Sequence, residues 1–231
     1  EGSERQGLRL MTSSDDHTLK CNVGCGQTPT RGWRNFDNSP SIRLARIPFL
    51  PKLLWWCGVI DAHQQQYMEF SLTHHLEYGD AARGLPLQNG SVTALYTSHM
   101  LEHLDRAAAA QFLGEARRVL CKGGIIRIAV PDISKLVESY IASGDADAFI
   151  SETHLTQPRP RRIPDRLRIL LAGARQHQWM YDGASLSKAL LAAGFHDARV
   201  RPAGETGIGN PGDLDLHERS EESVYVEANN P

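Results

Sequence analysis

The chain of 231 residues predicts an α/β fold, a doubly wound, mostly parallel seven-stranded sheet with helices on both faces. Three observations predict it. Short apolar strands alternate with helical patterns along one chain, a bare glycine turn follows the first strand, and no internal repeat interrupts the order. Composition agrees, because 41% hydrophobic and 23% charged residues suit a folded chain with a sizeable core and exclude wholesale disorder.

Residues 1–18 lack the apolar stretch of a secretory signal and are expected to be a flexible lead, with one domain over 19–231. Leu19 to Val23 is the first strand, running into Gly24-Cys25-Gly26, the turn-rich QTPTRG, and a second strand in WRNFD that ends at Asp37. Residues 39–75 read as an insertion. Its window Ile47 to Ile60 is very apolar, yet Lys52 and two prolines interrupt it and it is too short to span a bilayer. A buried helical hairpin is the default reading there, with an exposed substrate, partner or membrane surface as the other. A short strand falls within His75 to Asp80, and Ser91 to Ser98 reads as a buried strand. Phe112, Leu113, Ala116, Val119 and Leu120 then mark a helix that Lys122-Gly123-Gly124 stops. Ile125 to Val130 is the next buried strand, and Ile133 to Ala142 a helix. Residues 151–178 form a second irregular insertion with arginines at 159, 161, 162, 166, 168 and 175. Asp182 opens a helix closed at Gly194, and strands follow around Ala198 to Arg201 and Ser223 to Ala228.

The net charge of −2 gives no global pull toward nucleic acid, and no basic stripe interleaved with aromatics is visible, so neither a nucleic acid partner nor a transmembrane segment is expected. The cysteines at 21, 25, 57 and 121 lack the doubled spacing of a zinc module and read as reduced, in a cytoplasmic protein.

In a doubly wound sheet the ligand sits at the carboxyl ends of the strands, and Gly24-Cys25-Gly26 lets one approach the main chain. A dinucleotide site wants a third glycine, but Pro29 stands in its place. Asp37, eleven residues beyond Gly26, can still accept hydrogen bonds from both hydroxyls of a ribose. The plain alternative is that Asp37 caps a turn and Asp80 ends a strand at the surface.

The segments LKCNVGCG, WRNFD, YGDAARGLPLQNGSVTALYTSHMLEHL, EARRVLCKGGIIRIAVPD and WMYDGASLSKALLAAGF, in that order, resemble the class I S-adenosylmethionine-dependent methyltransferases of the methyltransferase type 11 kind, with a Rossmann-like sheet. The resemblance covers roughly residues 19–230. It implies S-adenosylmethionine as cofactor, with Gly24, Cys25 and Gly26 along its methionine portion, Asp37 on the ribose, and Asp80 with Ala81 on adenine. Ser98 would stand near the sulfonium. Asp37 and Asp80 are farther apart than in the compact family pattern, which implies an insertion over the site. Cys121-Lys122 stands where the family often has a proline.

A sulfonium methyl is already activated, so such a protein mainly aligns the acceptor and excludes water. An oxygen acceptor also needs a base, for which His99 and His177 are the candidates. His99, Glu102 and His103 would share a helical face if the helix has begun by His99. That spacing also suits metal ligands, with His177 on a later loop, but a packing role is as compatible and no metal is expected. Trp179, Met180 and Tyr181 could wall the acceptor, or staple the helix that Asp182 caps. The expected acceptor is a small molecule or a glycan, methylated on oxygen, and a homodimer stays open. The alternatives are a catalytically silent cofactor-binding subunit acting through a protein partner, and an NAD-dependent oxidoreductase.

Overall fold

A computed structural model describes residues 19–156 and 176–231. Seven strands make one sheet: β1 (Leu19–Val23), β2 (Arg34–Asp37), β3 (Glu77–Tyr78), β4 (Val92–Ser98), β5 (Leu120–Pro131), β6 (His196–Arg201) and β7 (Ser223–Asn229). Their order is β3-β2-β1-β4-β5-β7-β6. Pairings from β3 to β5 are parallel, whereas β7 runs antiparallel to both β5 and β6. The order reverses between β1 and β4, so the crevice at their carboxyl ends is where a ligand belongs.

The principal core lies on one face of the sheet. Phe112, Leu113, Ala116 and Val119 of α4 (Arg106–Val119) and Leu186 and Leu190 of α7 (Gly183–Ala192) meet Val92, Leu95, Ile126, Ile128, Val130, Val224 and Val226. On the opposite face, Ala94, Tyr96, Ala129 and Tyr225 are covered by Trp33 together with Ile208 and Leu214 from the β6–β7 connection. The alternation along β4, β5 and β7 therefore serves two cores.

The β1–β2 crossover, residues 24–33, contains no helix. Two buried asparagines hold it instead. Asn22 donates to the Thr28 carbonyl (3.0 Å) and Thr30 Oγ1 (3.1 Å), while Asn35 accepts from Thr30 N (2.8 Å) and donates to the carbonyls of Thr30 and Trp33. These bonds satisfy main-chain groups that a helix would have paired internally.

Between β2 and β3 the chain forms α1 (Pro40–Ala45), α2 (Leu50–Trp56) and α3 (Ala62–Thr73). The expectation of a buried hairpin fails here. Ile42, Ala45 and Met68 bury one side of α1 and α3, but α2 contributes no buried residue, and Phe49 and Trp56 are 83% and 80% exposed. Phe49 leads into α2 with φ +64°, and Leu54 of that helix packs, partly buried, against Ala45, Ile60 and Met68 while Leu53, Trp55 and Trp56 stay exposed.

After β5, α5 (Ile133–Ser143) is capped by Asp132 and ends at Gly144, and α6 (Ala146–Glu152) is capped by Asp145. The stop expected at Lys122-Gly123-Gly124 is not a coil. β5 begins at Leu120 and absorbs those residues as an irregularity, with Gly123 at φ +75°. The flexible lead and the six arginines at 159–175 lie outside the described residues. No helix among the described residues is long and apolar enough to cross a membrane.

Candidate functional site

The loop after β1 is held by its neighbour strand. Gly24 N and Cys25 N both donate to the Phe36 carbonyl, at 2.7 and 3.1 Å. Gly24 has φ +72°, and a Cβ there would meet Met100 Cγ at 2.5 Å, so glycine is needed for backbone and space alike. Gly26 has φ +51°, and a Cβ there would meet nothing within 4 Å, which leaves that side of the loop open. Cys25 presents its main chain only. Its thiol is buried against Ile42 and Leu76, and burial, reinforced by Asp37, pushes its proton affinity well above the ordinary thiol range.

Asp37, at the tip of β2, closes this loop. Its Oδ2 accepts from Gly26 N (3.0 Å) and its Oδ1 from Ser39 N (2.8 Å). Tyr67 of α3 stands against the same carboxylate; burial first, then the Asp37 charge, holds its phenol protonated far beyond its usual range. Asp37 pairs with Tyr78 of β3, and its carbonyl accepts from Gly79 N, so Asp80 sits just beyond on the adjacent strand tip. The long gap between the two acids is the length of α1–α3. Asp80 Oδ1 accepts from Ala82 N (3.2 Å), its Oδ2 is 3.5 Å from the exposed Arg83 guanidinium, and Ala81 is buried. Both acids thus cap local turns as well as standing at strand tips.

Beside the loop, β4 ends in Thr97 and Ser98. Thr97 Oγ1 lies 3.8 Å from where a Gly24 Cβ would be, and neither hydroxyl makes a hydrogen bond of good geometry although both are buried. Orphaned hydroxyls next to an open glycine loop suit a polar ligand. Two residues here escaped the sequence reading. Glu218, from the β6–β7 connection, accepts from Tyr96 Oη (2.9 Å) and Thr28 Oγ1 (3.3 Å), and Tyr67 covers Asp37. A single glutamate in an acidic run and a tyrosine in a polar insertion carry no spacing signal.

Past Ser98 the expected helical face does not exist. His99 has φ +48°, Leu101–His103 is one 3₁₀ turn, and α4 starts only at Arg106, capped by Asp105. The fold nevertheless gathers these side chains around Glu102, which is 1% exposed. His99 Nδ1 is 3.4 Å from Glu102 Oε1, while its Nε2 meets Ser223 Oγ at 2.8 Å. His177 Nε2 is 4.0 Å from the same oxygen, and its Nδ1 faces the Thr153 carbonyl at 2.8 Å. Burial lowers the proton affinity of His177, which favours the neutral ring. His103 Nδ1 faces the Gln176 carbonyl at 3.1 Å. Gln178 N and Trp179 N donate to the Glu102 carbonyl, so the later segment is tied to the turn by its main chain.

Trp179 is exposed and lies over Arg106, whereas Tyr181 is buried. Asp182 caps α7 through a reciprocal pair with Ser185. Of two surface recesses, one lined by Asp197, Arg199, Arg201 and Glu227 and one by Arg46, Leu72, His75 and Glu77, neither is lined by Gly24, Cys25 or Gly26.

Residues 58–128 match the family described as methyltransferase domain, Methyltransf_11. None of the curated proteins matches the chain in sequence. A Thermotoga maritima S-adenosylmethionine-dependent methyltransferase is 14% identical, with 92% of this chain and 82% of that one covered and a TM-score of 0.50. One from Archaeoglobus fulgidus is 13% identical over 93% and 87%, with a TM-score of 0.48. A Haloferax volcanii methyltransferase solved with the Trm112 methyltransferase activator is 15% identical over 96% and 85%, with a TM-score of 0.47.

Proposed function

We propose that the chain is an S-adenosylmethionine-dependent methyltransferase of the class I, type 11-like kind that methylates a small-molecule or sugar-containing acceptor on oxygen, a reading supported by the methyltransferase-domain match over residues 58–128 and by the shared fold. The observation that carries this is a single hydrogen-bonded unit at the switch point: the loop after β1 clamped by Asp37, beside the unpartnered hydroxyls of Thr97 and Ser98. When bound, S-adenosylmethionine supplies a methyl group already activated by a sulfonium.

The protein's own residues then bind, orient and manage a proton. Main-chain groups of Gly24, Cys25 and Gly26 line the methionine portion. Asp37 offers a remaining acceptor site to a ribose hydroxyl, since two carboxylate oxygens offer about four such sites, the main chain occupies two and Tyr67 reaches the same carboxylate. Asp80 and the Ala81 main chain take the adenine edge, and Ser98 stands toward the acceptor. His99 and His177, on either side of Glu102, are the groups that orient the acceptor hydroxyl and take its proton. A base of this kind favours oxygen over an already nucleophilic amine. Pro29 in place of a third glycine removes the pyrophosphate cradle, which disfavours the oxidoreductase reading, and a silent subunit would not need a base.

Calorimetry tests the reading. S-adenosylhomocysteine should bind the wild-type chain and bind Asp37→Ala at least about tenfold more weakly, the value of one hydrogen bond to a charged group. Equal affinity in the two proteins, or heat from NAD alone, overturns it.

A further inference from the structure

Glu102 poses a problem that the methyl-transfer site does not solve. A carboxylate 1% exposed should have donors, yet neither of its oxygens has a hydrogen-bond partner. What surrounds it is imidazole. One ligand-capable atom from each of Glu102, His103 and His177 lies within 4.8 Å of the others.

The outer contacts of both histidines fix which nitrogen is free. His177 Nδ1 points at the Thr153 carbonyl (2.8 Å) and His103 Nδ1 at the Gln176 carbonyl (3.1 Å). A carbonyl only accepts, so each Nδ1 carries a proton and Nε2 is the nitrogen that each ring can offer to a metal. Such N–H to carbonyl bonds are what hold and orient metal-ligating imidazoles. Two imidazoles that can each turn Nε2 inward and a carboxylate without a hydrogen-bond partner, all converging, suit a cation.

We propose that Glu102, His103 and His177 form a divalent metal site of the zinc class, with a coordination position left open. Ligand atoms about 2.1 Å from a tetrahedral zinc stand about 3.4 Å apart, so pairs now within 4.8 Å must close by at most about 1.4 Å, within reach of side-chain rotation. The frame they close on exists already, because Gln178 N and Trp179 N bind the Glu102 carbonyl. A site of three protein ligands leaves room for a water or an oxygen of a small molecule, and the turn carrying Glu102 follows Ser98 at the carboxyl end of β4. The site stands independently of the methyl-transfer reading. With metal bound, His177 is a ligand, and proton acceptance falls to His99 alone. The sequence named His177 as a further ligand but predicted no metal, because a packing role for these histidines was as compatible with the spacing.

The test uses the full chain stripped by a chelator and then titrated with Zn(II) against a chromophoric competitor, and with Co(II) followed by visible absorption. One equivalent of Zn(II) should bind, Co(II) should give intense bands of low coordination number, and His103→Ala and His177→Ala should each weaken binding by about a hundredfold. His196→Ala, an exposed histidine elsewhere, should leave affinity unchanged. Absence of stoichiometric binding by the wild-type chain, or equal affinity in wild type and His103→Ala, overturns the proposal; in that case a proton shared between Glu102 and an imidazole satisfies the carboxylate. Should a variant fail to fold, ring NMR signals of the unaltered chain decide. Zn(II) must shift those of His103 and His177 and not those of His196, and any other pattern overturns the site.

Discussion

Glu115 shows how a single carboxylate away from the ligand crevice prepares the crevice. Its Oε1 accepts from Leu85 N (2.6 Å) and from Arg118 Nη2 (2.6 Å), and its Oε2 from Arg118 Nε (2.7 Å). Arg118 also reaches the carbonyls of Leu85 and Leu87, so α4 clasps the loop that begins at Asp80 and Ala81. The Arg118 hydrogen bond holds the Glu115 carboxyl below its ordinary value of 4.5. The folded state therefore binds this proton less readily than the unfolded state, and the stabilisation is present above pH 4.5 and lost as the pH falls through the lowered folded value. Glu115→Gln should cost about 1 kcal/mol at pH 7, and the gap should close by acid pH in urea unfolding curves. A gap that stays constant across that window would mean the charge plays no part. At this scale Asp37 was legible because a strand ending in an acid after a glycine turn is a local pattern. The burial of Glu102 was not, because the segment that closes over it, with His177, comes from 75 residues downstream.

At the scale of elements, one buried ion pair joins three strands. Arg127 on β5 faces its register partner Glu227 on β7 at 2.9 Å, and Glu227 also meets Arg201 of β6 at 3.1 Å. Thr206 Oγ1 and Gly207 N donate to the same carboxylate, which anchors the start of the β6–β7 connection over the second core. Arg127 is fully buried, so Glu227→Ala would leave a cation inside the sheet and should cost about 3–5 kcal/mol in denaturant unfolding. A loss below about 1 kcal/mol, the range of a surface pair, would show that water reaches the arginine. The three helices between β2 and β3 illustrate a different limit. Their helical character was legible as an insertion, but which side of each would be covered was not. Apolar Phe49, Leu53, Trp55 and Trp56 point outward because α1 and α3 pack on each other first.

For the whole molecule, cofactor binding and folding are linked. S-adenosylhomocysteine at 100 times its dissociation constant should stabilise the chain by about 2.7 kcal/mol, which for this size raises the melting temperature by about 5–10 °C. Differential scanning fluorimetry reads it directly. No shift in the wild-type chain, or an equal shift in Asp37→Ala, would place the ligand outside the crevice between β1 and β4.

Local chemistry needs no partner, so the sequence by itself determined most of the strands, the helix start at Asp182 and its stop at Gly194, the glycine turn and the acids that end β2 and follow β3. Periodicity and turn propensity are properties of neighbouring residues, and they made individual strands readable almost to the residue at Leu19–Val23 and Val92–Ser98, while the strand order came from the structure. Only the tertiary structure decided what covers what: a crossover held by Asn22 and Asn35 instead of a helix, a tryptophan-rich helix left outside, and three histidines converging on one carboxylate. Those outcomes depend on which distant surfaces win the competition for burial, and no local pattern records that contest.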